Sequence, residues 1–136
     1  MRVLIDTNLL FSAVYRNGSV PRQAYNKAVE PPHQGLICER SLDELRDSFV
    51  NKFPDRADEL DLFIEGVKST VELILVPDKV HPDEAMIRDT DDALILRAAI
   101  AADADIIISG DLDFIESGID SPMIMTAKQF IQTNHE

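Results

Sequence analysis

Acidic residues stand at the points where apolar runs end or where helices begin in this sequence. Asp6 closes the apolar run at residues 3–5, and Asp111 follows the run at residues 106–108. Carboxylates that come close together repel one another unless a cation holds them, and hard divalent cations favour oxygen ligands. The candidate ligands of such a cation are Asp6, Glu44, Asp92, Asp111 and Asp113. These residues predict a Mg²⁺ or Mn²⁺ site and chemistry on phosphate esters.

Alternating apolar runs and amphipathic segments predict the elements that position these acids. The strand candidates are residues 2–6, 35–38, 72–76, 105–109 and 123–125. The helix candidates are residues 9–15, 21–29, 42–52, 56–69, 91–102 and 127–133. Strands that alternate with helices predict right-handed βαβ units and a three-layer α/β/α sandwich with a central parallel sheet of about five strands. One domain of this class accounts for all of residues 1–136.

In an open parallel sheet the carboxyl ends of the strands border the crevice where ligands bind. Asp6 and Asp111 are predicted to lie at this edge, and Ser109 offers a hydroxyl beside them. Each acid also has a structural interpretation, because Asp is favoured as a helix N-cap and in turns. Three acids at residues 89–92 exceed what stabilisation by the helix dipole requires. Asp92 adjoins an apolar helix, where its burial without a partner would be costly.

Glu44 has the strongest structural alternative. Two helix starts carry the pattern of a capping box, in which Ser or Thr is followed three residues later by Glu or Gln. They are Ser41 with Glu44, and Thr126 with Gln129. The helical spacing of Leu42, Leu45 and Phe49 also predicts that Glu44 points away from the core. From periodicity alone, Glu44 is an exposed side chain unless the start of its helix lies across the end of the sheet.

Composition and charge narrow the classes of protein. The formal net charge of −12 argues against nonspecific nucleic-acid binding, although metal-bound acids weaken that objection. The same acidity favours a basic protein partner. A single cysteine, Cys38, and the absence of a secretory signal or membrane span predict a cytoplasmic protein without disulfides and with no membrane association. Cys38 is expected to be a buried packing residue.

Histidines and basic residues carry weaker signals. His33, His81 and His135 have neither metal-ligand nor catalytic-triad spacing and are predicted to be surface residues. Arg16 and Arg22 follow the first acidic motif and are candidates for contacts with substrate phosphates. An ordinary solvated face is the alternative interpretation of these two arginines.

Four short motifs, in order along nearly the whole chain, resemble those of the PIN-domain family of nucleases, in particular its VapC-like toxin components of toxin–antitoxin systems. They are Asp6-Thr7-Asn8, Ser41-Leu42-Asp43-Glu44-Leu45-Arg46, Asp89-Thr90-Asp91-Asp92-Ala93 and Ile108-Ser109-Gly110-Asp111-Leu112-Asp113. The resemblance implies a metal-dependent endoribonuclease that uses Mg²⁺ or Mn²⁺. Its partners would be an RNA substrate, an antitoxin with a basic or hydrophobic segment, and a second copy of the chain in a homodimer.

The resemblance also assigns roles to particular positions. The implied acid quartet is Asp6, Glu44, Asp92 and Asp111, with Asp113 as a fifth candidate. It selects Glu44 over Asp43, which periodicity could not do. Asn8 and Ser109 match positions that support the metal site in relatives. Ala93 departs from the pattern, because many members carry a polar residue there, and this departure concerns a supporting hydrogen bond rather than the metal ligands.

Two other functions are compatible with parts of the pattern. A PIN-like module without activity could bind protein or RNA, and the loss of one or more acids would favour it. A phosphatase of the haloacid-dehalogenase type also has an Asp after the first strand, but its motif resembles Asp-x-Asp and position 8 here is Asn. Glycine-rich dinucleotide and P-loop signatures are absent from the sequence.

Overall fold

Five parallel strands form one sheet in the order β3-β2-β1-β4-β5. The computed structural model describes residues 1–133. The strands are β1 (Arg2–Ile5), β2 (Gln34–Cys38), β3 (Glu72–Ile74), β4 (Ile106–Ile108) and β5 (Met123–Met125). This arrangement confirms the predicted α/β class and the parallel sheet.

Helices cover both faces of the sheet. They are α1 (Thr7–Tyr15), α2 (Val20–Ala28), α3 (Glu39–Lys52), α4 (Ala57–Thr70), α5 (Thr90–Ala101), α6 (Leu112–Ile115) and α7 (Ala127–Gln132). On β1, Val3 and Ile5 pack against the layer of α1 to α4 and α7, whereas Leu4 packs against α5 and α6. Both faces of the central strands are therefore buried, as their uninterrupted apolar runs predict. The result is the predicted three-layer sandwich.

The register aligns the carboxyl ends of the two central strands. Ile5 of β1 is opposite Ile108 of β4, and the backbone N–H of Asp6 donates to the carbonyl of Ile108 at 3.0 Å. The residues that follow these strands, Asp6 and Ser109, consequently meet at one edge of the sheet. Strand β2 lies on the other side of β1, so the start of α3 is brought to the same edge.

One of the two predicted capping boxes is wrong. Helix α3 begins at Glu39, directly after β2, and Cys38 caps it without a side-chain hydrogen bond. Ser41 therefore lies inside the helix, where it is fully buried and accepts a 2.8 Å hydrogen bond from the Thr7 hydroxyl. The second box is confirmed, because the side chains of Thr126 and Gln129 each accept a hydrogen bond from the other residue's backbone N–H.

Predictions for the cysteine and histidines have mixed outcomes. Cys38 is fully buried, as expected. His33 is buried rather than at the surface, because the chain enters β2 beneath α7 and the imidazole packs 5.5 Å from the ring of Phe130. His81 is partly exposed and caps the 3₁₀ segment Pro82–Met86, while His135 lies outside the described residues. Within residues 1–133, every helix is too short or too polar to cross a bilayer.

Candidate metal centre

Asp6 lies at the junction of β1 and α1, where the residue is 5% exposed. Asp6 Oδ1 accepts a hydrogen bond from the N–H of Thr7 at 2.7 Å. Asp6 therefore caps α1, in agreement with its interpretation as a helix N-cap. Asp6 Oδ2 accepts another from the hydroxyl of Ser109 at 2.8 Å. Burial raises the pKa of Asp6, and the negative charges of Glu44 and Asp111 act in the same direction. Asp6 therefore has both a capping role and a place in a crowded acidic group.

The start of α5 contributes a second buried acid. Asp92 is 7% exposed and faces the end of the sheet. Burial raises the pKa of Asp92 to about 8, with further contributions from a hydrogen bond to the Asp111 side chain and from the charge of Asp6. Asp89 caps the helix, because its Oδ1 accepts hydrogen bonds from the backbone N–H groups of Asp91 and Asp92 at 2.7 and 3.2 Å. The helix start thus holds Asp92 against the acids of the strand ends.

The loop after β4 completes the group. Ser109 is fully buried, and its hydroxyl joins Asp6 to the backbone N–H of Asp111, which donates at 3.1 Å. The amide oxygen of Asn8 accepts a hydrogen bond from the N–H of Gly110 at 3.2 Å, tying the loop to α1. Asp113 is exposed, and its backbone N–H donates to Asp111 Oδ1 at 3.0 Å. In this arrangement Asn8 and Ser109 support the acids, while Asp113 supports the orientation of Asp111.

Carboxylate oxygens of Asp89, Asp92 and Asp111 lie within 4.8 Å of one another. This spread is close to the distance across a Mg²⁺ coordination sphere, which is about twice a Mg–O bond of ~2.1 Å. These are hard oxygen donors, and one of them belongs to Asp92, whose burial and raised pKa favour a bound divalent cation. The donor set therefore fits Mg²⁺ or Mn²⁺. Sequence reasoning did not assign Asp89 to the site, although the three acids at residues 89–92 were a signal that could have found it.

Glu44 lines the same cleft as Asp6 and Asp92, and its side chain is 40% exposed. Glu44 points away from the core, as the helical spacing predicts. It reaches the cleft because the start of α3 lies across the end of the sheet. Arg40 Nε donates to Glu44 at 3.3 Å, and Arg40 Nη2 donates to Asp91 at 3.1 Å. Arg40 thus forms ion pairs with two acids at the rim of the cleft. Among residues 1–133, no Lys or Arg lines the cleft beside the buried acids. The i,i+4 spacing of Arg40 and Glu44 was the signal for this pair.

Arg16 and Arg22 lie at the opposite end of α1 from the acids. Arg16 caps the carboxyl end of this nine-residue helix, about 12 Å along the axis from Asn8. Arg22 Nη1 donates to the carbonyl of Ala13 at 3.3 Å, and its guanidinium lies 5.1 Å from the ring of Phe63. These contacts stabilise the packing of α1, α2 and α4. They do not bring either arginine to the acidic cleft.

We expect Ser109→Ala to weaken Mn²⁺ binding by about 10- to 100-fold, the usual effect of removing a hydrogen bond that orients a metal ligand. The hydroxyl holds Asp6 Oδ2 and lowers the pKa of this acid, so its loss disfavours the ionised ligand. Calorimetric titration with Mn²⁺ measures the effect. Ser69→Ala is a matched control, because the hydroxyl of the exposed Ser69 donates to the carbonyl of Gly66 within α4. Equal Mn²⁺ affinity in the two variants would contradict the role of Ser109.

Comparison with known proteins adds independent information. A family model described as a PIN domain matches residues 2–113. A solved structure of VapBC2 from Rickettsia felis, bound to a DNA fragment from their promoter, is similar to this chain with a TM-score of 0.67 and 18% sequence identity. The similarity covers 92% of this chain and 97% of that chain, and at this identity it bears on the fold alone. No curated protein matches the chain in sequence.

Proposed function

This chain belongs to the PIN-domain family, and on that premise we propose that it is a metal-dependent endoribonuclease and the toxin component of a toxin–antitoxin system. The observation that carries the proposal is the convergence of Asp6, Asp92 and Asp111 at the carboxyl edge of the sheet. Two of these acids are buried, and their raised pKa values reflect a site that favours a cation. The presence of the full acid quartet argues against a module that has lost its activity.

Each residue has a role in the proposed hydrolysis. Asp92 and Asp111, together with Asp6 and Asp89 beside them, would hold Mg²⁺ or Mn²⁺, and Glu44 would hold a second ion directly or through water. A bound ion lowers the pKa of a coordinated water and stabilises charge on the phosphoryl and leaving oxygens. Asn8 and Ser109 keep the loop after β4 against α1, and Asp113 remains a candidate fifth ligand. Cys38 is unsuited as a nucleophile, because burial raises the pKa of its thiol to about 12.

The proposal extends to partners and organisation. An antitoxin with a basic segment would complement the acidic cleft, in which Asp89, Asp91 and Glu44 are accessible at the rim. A basic side chain of the antitoxin would pair with the acids at the rim in the same way as Arg40, which pairs with Glu44 and Asp91. We further propose a cytoplasmic homodimer in which residues 1–136 form a single domain.

Cleavage of a mixed pool of single-stranded RNA tests the function directly. We expect fragments with Mn²⁺ or Mg²⁺ and intact RNA with a chelator, because the proposed nucleophile is a water that the ion activates. Gel analysis of end-labelled RNA measures the rate. Cleavage that persists in the chelator, or RNA that stays intact in both metals, would overturn the assignment.

A further inference from the structure

A cavity of about 340 Å³ lies beside the acidic cleft, between α1, the start of α2, the loop after β4 and the start of α7. Its apolar walls include Leu9, Val20, Pro21 and Ala127, and Lys128 is exposed at its border. The volume falls within the usual range of ligand pockets, about 300–1,000 Å³. The proposed chemistry at the acids does not account for this cavity.

The cavity and the cleft are adjacent. Asn8 lines both of them, and Ser109, which lines the cavity, donates to Asp6 at 2.8 Å. Strand β5 leads into α7 and pairs with β4, so the two strand ends are about 4.8 Å apart. A nucleic-acid strand that crosses the acids along the carboxyl edge of the sheet therefore places its next nucleotide at the cavity.

Charge distinguishes the two spaces. The residues that line the cleft include five acids and no Lys or Arg, whereas those that line the cavity include Lys128 and no acid. The phosphate next to the one at the acids would meet an ammonium group and no carboxylate in the cavity. Apolar walls beside a cation suit a nucleotide, because an unstacked base packs against apolar or aromatic side chains while phosphates bind Lys or Arg.

We propose that this cavity is the subsite for the nucleotide next to the cleaved phosphodiester of a single-stranded RNA. Its base lies against Val20 and Pro21, and its phosphate contacts Lys128 Nζ. The part of this proposal that concerns cleavage of the neighbouring phosphodiester rests on the proposed function. The binding itself does not require cleavage, so the two ideas can be tested separately.

The charge of the subsite is tested with Lys128→Gln in an Asp92→Asn background, which prevents cleavage. Fluorescence anisotropy of a labelled single-stranded RNA is measured over a range of salt concentrations. Loss of one phosphate contact is expected to reduce the slope of log affinity against log salt by about 0.7, which corresponds to about fivefold weaker binding at about 0.1 M salt. Lys68→Gln on α4 is the control, because Lys68 is also an exposed helical lysine and does not line the cavity.

The shape of the subsite is tested with Ser12→Leu, which fills the cavity without changing charge. Ser48→Leu is its matched control, since Ser12 and Ser48 each donate to the carbonyl four residues earlier in their helix, at 3.2 and 2.8 Å. We expect Ser12→Leu to weaken RNA binding at least about tenfold and Ser48→Leu to leave it unchanged, with thermal melting of both variants verifying the fold.

If Lys128→Gln and Ser12→Leu bind RNA like their controls, the subsite is wrong even where the wild-type protein cleaves RNA. If both weaken binding as expected and wild-type protein with Mn²⁺ leaves RNA intact, the subsite stands and the proposed nuclease activity fails.

Discussion

Asp6→Asn is expected to lower the rate of RNA cleavage by about 10³-fold or more while leaving the fold intact. Loss of several kcal/mol of metal-dependent stabilisation corresponds to this factor, at about 1.4 kcal/mol for each tenfold change in rate. Asp6 is the acid between the cleft and the Ser109 hydroxyl, and both of its oxygens accept hydrogen bonds. Asn retains the shape and one acceptor oxygen, but it removes the charge that a cation requires. Initial rates with Mn²⁺, at substrate excess, measure the loss.

The same substitution is expected to raise the free energy of unfolding of the metal-free protein at neutral pH. Burial and the neighbouring acids raise the pKa of Asp6, so its ionised form is unfavourable in the folded state without a cation. Asp47→Asn is the matched control, because Asp47 is an exposed acid on α3. A cleavage rate in Asp6→Asn equal to that of the wild type would contradict the metal mechanism. A large loss of stability would instead show that the capping role of Asp6 is dominant.

Most of the fold could be predicted because strands that are buried on both faces are uninterrupted apolar runs in the sequence. The apolar runs at β1 and β4 are buried on both faces, and the acid that follows each run lies at the sheet edge. The direction of a parallel strand determines where its last residue stands, so Asp6 and Asp111 could be placed without coordinates. The second capping box was also readable, since it involves only residues 126–129 and their own backbone.

Features that depend on contacts between distant segments could not be predicted in this way. Ser41 matched a capping box, yet β2 leads into α3 without a loop, and the hydroxyl bonds Thr7 instead. Glu44 could be placed at the cleft only by resemblance, because periodicity identifies the core face of a helix and not what lies opposite. The cavity at Lys128 is formed by four separate segments, none of which carries a recognisable pattern.

Without metal, the free energy of unfolding is expected to decrease as the pH rises from about 4 to about 8. In the folded state burial raises the pKa of Asp92 to about 8, whereas the ordinary value for Asp is 3.8. Between these values the folded protein binds more protons than the unfolded chain, so raising the pH favours unfolding. The stabilisation is fully present below the unfolded pKa and is lost as the pH passes through the folded pKa. We expect a total change of a few kcal/mol, less than the limit of about 1.4 kcal/mol per unit of pKa shift.

Urea denaturation at a series of pH values, in the presence of a chelator, measures this dependence. Asp92→Asn should flatten this dependence, while Asp61→Asn at an exposed position of α4 should leave it unchanged. Mn²⁺ should stabilise the wild type more at about pH 8 than at about pH 5, because a bound cation must displace the proton that Asp92 holds. If the stability of the metal-free protein increased over this range instead, Asp92 and Asp111 would be ionised side by side without a cation. Their proximity would then be no reason to expect a metal between them.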